Sequence, residues 1–252
     1  MVCCGFDGMA DPALEGEVDS FRAVSFARLG SWARFLRRHG CREAIMVGRV
    51  RKQNLYMKNE VLWALRQVPD FTTFWAWFTI LRKDRRSETA MLTAAAELEK
   101  RGITLIDSTT YCRDQLATAG VMGTRQPSER QQRDMARGWE VCGWLTRQDI
   151  GQGVAVKDLD IVALEAVEGT NRMIERAGEL CRGGGWTLVK RANTRQDMRL
   201  DVPSIGLQTI EKLRLAGAQC LCVEAGRVIL LEKEKVITAA DAAGIAVVGR
   251  AE

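Results

Sequence analysis

Apolar residues alternate along the chain between short unbroken runs and longer stretches at helical spacing, a rhythm that predicts strands interleaved with helices. Residues 2–6 read as a strand. Residues 29–39 read as a helix with Trp32, Phe35 and Leu36 on one face, stopped by Gly40, and residues 44–50 follow as a buried strand. Ser87 caps a second clear helix, with Met91, Leu92, Ala95 and Leu98 inward, that ends near Gly102. Residues 103–106 are the next strand, and Ser108 or Thr109 opens a further helix.

The periodicity breaks over residues 120–128, where two glycines, a proline and polar residues stand together. This break divides the chain into a domain over residues 1–122, a linker over 123–128 and a second domain over 129–252. In the second domain residues 129–147 are helical, and 154–156 with 161–165 form a hairpin. Residues 170–181 make a helix with Met173, Ile174, Ala177 and Leu180 inward. Then come a strand at 186–190, a helix at 208–216, strands at 220–224 and 228–231, a short helix through Ala243 and a last strand at 245–248. The alternation implies an α/β fold in two domains.

A length of 252 residues suits two domains, and 46% apolar with 27% charged residues marks a globular chain. The formal charge of +5 is mild. Nucleic-acid binding gains no support, since no basic run is interleaved with stacking aromatics, whereas an anionic ligand or membrane surface fits. Eight cysteines are scattered through a chain too large to need a disulfide scaffold, and the N-terminus has no signal-peptide pattern, so reduced thiols in the cytosol are expected. Cys3-Cys4 and Cys220-x-Cys222 lack zinc-knuckle spacing, and the second pair should share one face of a strand.

The single histidine, His39, sits at a helix end, where a cation complements the dipole. One histidine cannot build a HExxH zinc site or a histidine-rich dimetal centre, and it leaves a Ser-His-Asp triad without support. Hydrolytic chemistry must therefore rest on carboxylates and a hard cation. The most apolar stretch, residues 71–81, is too short to span a bilayer. Its aromatics at helical spacing predict a core stripe, and the alternative is a surface for an acyl chain or membrane interface, with Lys83, Arg85 and Arg86 just beyond.

Candidate chemistry gathers in the second half. Between Lys190 and Gly206 the chain places Gln196, Asp197, Arg199 and Asp201 in one polar loop, a set that suits a cation and a phosphate together. Gly151-Gln152-Gly153 lets backbone approach closely. Glu165-Ala166-Val167-Glu168-Gly169-Thr170 ends a strand in carboxylates and caps a helix with a threonine, at an N-terminus that attracts anions. Such strand-to-helix junctions converge on one crevice in α/β sheets. Composition and spacing reach an anionic ligand with a divalent cation, and no further.

The segments Gly151-Gln152-Gly153, Glu165-Ala166-Val167-Glu168-Gly169-Thr170, Gly184-Gly185-Trp186-Thr187-Leu188-Val189-Lys190, Gln196-Asp197-Met198-Arg199-Leu200-Asp201-Val202-Pro203-Ser204-Ile205-Gly206 and Glu224-Ala225-Gly226 resemble, in order, the C-terminal domain of the LpxI-type UDP-2,3-diacylglucosamine pyrophosphatases. Weaker likeness continues upstream through Ala10-Asp11-Pro12, Leu29-Gly30, Gly48-Arg49-Val50 and Lys83-Asp84-Arg85-Arg86. The resemblance implies an N-terminal Rossmann-like parallel sheet, a mixed α/β catalytic domain, and magnesium-dependent cleavage of the lipid-linked UDP-sugar to UMP and 2,3-diacylglucosamine 1-phosphate in lipid A synthesis. The setting it implies is the cytoplasmic face of the inner membrane, with peripheral association and a homodimer left open. Asp201, Asp197 and Glu168 would be catalytic, Asp197 and Asp201 the metal ligands. Gln152, Thr170, Lys190, Gln196 and Arg199 would hold substrate.

Two departures stand out. Asn171 replaces the aspartate usual after Glu-Gly-Thr, although a carbonyl can still coordinate. Relatives also open with an additional strand, glycine-rich turn and helix before the segment matching residues 2–12. That leaves the first sheet short of a strand, and a start assigned too far downstream is the favoured explanation. Together these departures motivate the alternative of a non-catalytic lipid-nucleotide binding protein.

Overall fold

The computed structural model describes residues 1–25, 27–48, 68–84, 87–192, 197–200 and 202–251, and it divides into two compact α/β units, residues 1–108 and 109–252. In the first unit, strands β1 (Val2–Phe6) and β2 (Ser20–Val24) pair in parallel. Helix α1 (Leu29–Arg38) buries Leu29, Trp32, Phe35 and Leu36, as its spacing predicts. Trp32 anchors this packing: its ring lies 4.8 Å from that of Phe6 and its indole N–H donates to the Ser25 carbonyl at 2.8 Å. His39 closes the helix, with Nδ1 2.9 Å from the Phe35 carbonyl.

The strand expected at 44–50 is shorter than its sequence suggests. Only β3 (Glu43–Ala44) pairs, in parallel with β4 (Thr104–Leu105), because that partner is itself two residues long; Arg49 and Val50 lie outside the described residues. Helix α2 (Phe71–Ala76) runs into a π-helical turn over Trp77–Leu81, and helix α3 spans Ser87–Glu99. Two inward faces differ from expectation. In α3 the buried residues are Thr93, Ala94, Ala95 and Leu98, while Leu92 is exposed.

In α2 the aromatic stripe is not core: Phe71, Phe74, Trp75 and Phe78 are exposed, and Ala76 is buried. The cause lies in the polar face. Thr73 Oγ1 accepts from the Leu29 N–H at 3.0 Å and Thr72 Oγ1 from Arg101 Nη2 at 2.9 Å. Asp70 caps the helix through the Thr73 N–H at 3.0 Å and accepts from Ser31 N–H at 3.1 Å. Satisfying these groups turns the threonines inward and the rings outward.

The second unit is a three-layer sandwich around a six-stranded mixed sheet, in the order β5 (Gly120–Val121), β12 (Ala246–Arg250), β10 (Ala218–Glu224), β8 (Trp186–Lys190), β6 (Gly153–Lys157) and β7 (Asp160–Leu164). Helix α4 (Glu129–Arg147) covers one face, packing Met135, Trp139, Cys142 and Leu145 against Val154, Val156, Val189, Cys220 and Cys222. Its start is a capping box, Gln131 N–H donating to Ser128 Oγ at 3.3 Å and Ser128 N–H to Gln131 Oε1 at 2.8 Å. Helices α5 (Thr170–Leu180), α6 (Leu207–Leu215) and α7 (Lys233–Ala242) contribute Met173, Ile174, Ile210, Leu213 and Val236 to the core on the other face. Leu180, expected inward, is 64% exposed, because it falls at the very end of α5.

None of the eight cysteines forms a disulfide. Burial pushes the thiols of Cys142, Cys220 and Cys222 each up to about 12, so they pack as small apolar groups. The hairpin β6–β7 forms as expected. Its two-residue turn puts Asp158 and Leu159 at positive φ, and the buried Asp134 carboxylate accepts from their N–H groups at 3.3 and 2.8 Å.

Residues 109–122, assigned by the sequence to the first domain, pack on the second. Strand β5 pairs antiparallel with β12, Ala117 is core, and the Ala117 N–H donates to the Val228 carbonyl at 2.9 Å. These long-range bonds draw the segment out, so the helix expected from residue 108 or 109 is reduced to a 3-10 turn at Arg113–Gln115. Among the described residues no helix is long and apolar enough to cross a membrane.

Candidate active site

Strands β7, β8, β10 and β12 run in the same direction, because β6 is antiparallel to both β7 and β8 while β8, β10 and β12 are mutually parallel. Their carboxyl ends share one edge of the sheet, where α/β proteins bind ligands. At that edge stand Glu165 after β7, Lys190 and Arg191 at the end of β8, Glu224 at the end of β10 and Arg250 at the end of β12. The start of β6 brings Gly151 and Gln152 to the same edge, with Gly153 paired to Lys190.

At its centre is a buried polar triad. Lys190, with no exposed surface, donates from Nζ to Thr170 Oγ1 at 2.7 Å and lies 3.6 Å from Glu165 Oε2; the Thr170 hydroxyl donates to Glu165 Oε1 at 2.8 Å. The lysine charge is met by a carboxylate inside the protein, across 3.6 Å. Lys190 and Thr170 are thus joined to each other and to a carboxylate that the sequence marked only as part of a motif. The N-cap of α5 is Gly169, at φ 81°, instead of Thr170. That frees the threonine hydroxyl for the triad, and the glycine N-cap adds no side-chain hydrogen bond at a helix start of the kind that attracts anions.

The glycines flanking Gln152 serve the protein before any ligand. A Cβ on Gly151 would stand 2.0 Å from the Glu165 carbonyl oxygen, and one on Gly153 2.7 Å from Glu165 Oε2. The Gln152 carbonyl accepts from the Arg191 N–H at 3.0 Å. Gly151→Ala is therefore expected to lower stability by about 2 kcal/mol or more, since the contact is backbone on backbone. Urea unfolding checks it; a change below about 0.5 kcal/mol, the usual surface range, would refute the close approach.

A second buried group secures the polar loop. Glu224 Oε2 accepts from the Ala192 N–H at 2.9 Å and lies 3.7 Å from Arg191 Nε, while Arg227 Nη1 is 3.9 Å from Glu224 Oε1. Arg191 and Arg250 hold their guanidinium carbons 4.1 and 5.1 Å from the Trp139 ring centre. The far end of the loop is tied where the Ile229 N–H donates to the Pro203 carbonyl at 2.9 Å and β9 (Ser204–Ile205) pairs with β11 (Ile229–Leu230). Both ends of the loop are fixed to the segment around Glu224-Ala225-Gly226.

Within the loop Asp197 and Arg199 face each other, Nε to Oδ1 at 2.8 Å and Nη2 to Oδ2 at 2.6 Å. This hydrogen bonding holds the Asp197 carboxyl below its ordinary pKa. Glu168 is 3.0 Å from Arg176 Nη2. Gln196 and Asp201 lie outside the described residues. Among the described residues no three His, Cys, Asp or Glu side chains cluster as a metal-ligand set. Magnesium does not require one, since one or two carboxylates with substrate phosphates suffice, and the hard oxygen donors of the loop fit it in kind.

Glu165, Arg191 and Glu224 are the residues that sequence reasoning did not select. Their signal was a charged residue at the carboxyl end of a largely apolar strand.

The sequence matches the LpxI N-terminal domain over residues 1–115 and the LpxI C-terminal domain over residues 118–248. A curated relative from Caulobacter vibrioides, UDP-2,3-diacylglucosamine pyrophosphatase LpxI, is 28% identical over 248 residues, covering 95% of this chain and 85% of that protein.

Proposed function

The chain belongs to the LpxI family, and we propose that it hydrolyses the diphosphate of UDP-2,3-diacylglucosamine to UMP and 2,3-diacylglucosamine 1-phosphate, with magnesium, at the cytoplasmic face of the inner membrane in lipid A synthesis. The observation that carries this reading is the Lys190–Thr170–Glu165 triad at the carboxyl edge of one sheet, beside the start of the polar loop, where Glu224 holds the Ala192 N–H; the Asp197–Arg199 pair belongs to that loop in sequence.

Each residue has a distinct task. Arg199 already presents its fork to a carboxylate and suits a phosphate equally, so it can pass between Asp197 and the diphosphate. The backbone N–H groups at the start of α5 attract phosphate oxygens, and the triad beneath fixes that helix end. Gln152 and Gln196 orient phosphate oxygens, and Glu168 is a third carboxylate at the same junction. Asp197 and Asp201 would hold magnesium, which when bound neutralises diphosphate charge and lowers the cost of water attack. Asp201 draws the proton from that water.

Purified protein incubated with UDP-2,3-diacylglucosamine is expected to release UMP with magnesium and to stop on chelation, UMP being read by chromatography. No UMP with magnesium would overturn the hydrolase, and tight substrate retention without turnover would establish the binding-only alternative that Asn171 motivates.

A further inference from the structure

Helix α2 and its π-helical turn carry their amphipathicity inside out. Thr72, Thr73 and Ala76 face the domain, whereas Phe71, Phe74, Trp75, Trp77, Phe78 and Ile80 are between 42% and 80% exposed. A soluble surface rarely shows so many large apolar side chains together, so the patch needs a partner. We propose that this face docks on an anionic lipid bilayer.

Three observations choose that occupant. The rings at 71, 74, 75 and 78 form one row and those at 77 and 80 another, so they diverge around the helix instead of converging on a pocket. Immersion in an interface covers a divergent face, and tryptophans favour that depth. Charge agrees. Arg82 and Lys83 are exposed just past the last turn, and the Arg82 guanidinium carbon lies 5.0 Å from the Phe78 ring centre. The two acids of the segment are engaged in protein hydrogen bonds, Asp70 with Thr73 and Ser31, and Asp84 with Thr89 Oγ1 at 2.7 Å. The segment therefore offers apolar rings and cations together, the complement of headgroup phosphates over acyl chains.

The proposal rests on the reading above only in giving the enzyme a membrane to work at; vesicle binding is measured without substrate, so either can fail alone. Wild-type protein is expected to co-sediment with phosphatidylcholine vesicles containing phosphatidylglycerol and to lose most of that binding on vesicles of phosphatidylcholine alone. The triple variant Phe74→Ser, Trp75→Ser, Phe78→Ser should bind anionic vesicles about tenfold or more weakly, since three rings leave the interface. Arg82→Gln with Lys83→Gln should weaken it by about fivefold for each charge removed.

Thermal unfolding confirms that the variants fold, and wild-type tryptophan quenching by brominated lipid reports insertion with no variant at all. Absence of sedimentation and quenching would overturn the proposal. So would equal vesicle binding by the triple variant, which would turn the patch over to substrate acyl chains if KM alone rose, or self-association lost in the triple variant without any vesicle binding, which would make a second copy the partner.

Discussion

Asp201→Asn is expected to lower kcat for UMP release by about two to four orders of magnitude, the range for a removed general base or metal-bound carboxylate, while leaving urea unfolding within about 0.5 kcal/mol of wild type. The pairing of a large kinetic effect with a small stability effect is the informative part. Asp201 stands four residues after Asp197 in a loop whose two ends are fixed, at Ala192 to Glu224 and at Pro203 to Ile229. Asp197 already has a partner in Arg199, and the proposed function gives the proton to Asp201. Asp197 itself, held low by that guanidinium, stays ionised as pH falls to its usual range. Any stabilisation from its ion pair is present above the unfolded carboxyl pKa and fades only as pH drops through the lower folded value. Loss of rate on mild acidification therefore does not report Asp197. If Asp201→Asn retained more than about a tenth of wild-type kcat, neither role would belong to it.

The fold was legible wherever one face of an element was apolar and the other was not. Helix α4 begins and ends where its sequence places it, and the β6–β7 hairpin forms around the expected turn. Helix α2 shows the limit. Its period was correct, but a period does not say which side meets the protein, and the hydrogen bonds of Thr72 and Thr73 decided that against the aromatics. Helix α3 forms where expected and buries Ala95 and Leu98, but small residues on several sides let Thr93 and Ala94 pack where Met91 and Leu92 were expected. The domain boundary was hidden differently. The glycines and proline of 120–128 are a local break, whereas the pairing of β5 with β12 joins residues distant in sequence. At the site, residue types announced the polar loop and the Glu168-Gly169-Thr170 turn. Nothing local distinguishes a lysine that ends a strand at the surface from one sealed inside, as Lys190 is.

That sealed lysine carries the larger structural prediction. Lys190→Met should lower the stability of the second domain by about 3–5 kcal/mol, because it removes the countercharge facing a buried carboxylate. Glu165 has no room to turn away: Gly151 and Gly153 press on its backbone and side chain, and its Oε1 is already bound to Thr170. Attraction at 3.6 Å does not by itself make the pair stabilising, since both groups gave up water to be there. The double variant Glu165→Gln, Lys190→Met separates the two contributions. Removing both charges should restore most of the lost stability, leaving a net cost of about 1–2 kcal/mol for the hydrogen bonds to Thr170. Urea unfolding of the two single variants and the double variant closes the cycle. A double variant as unstable as Lys190→Met would mean that the lysine acts through packing, and the triad would then be a neutral scaffold. Recovery of stability without recovery of turnover would instead place the charges in the service of α5, whose first residue, Thr170, they hold against Lys190, where the polar loop begins.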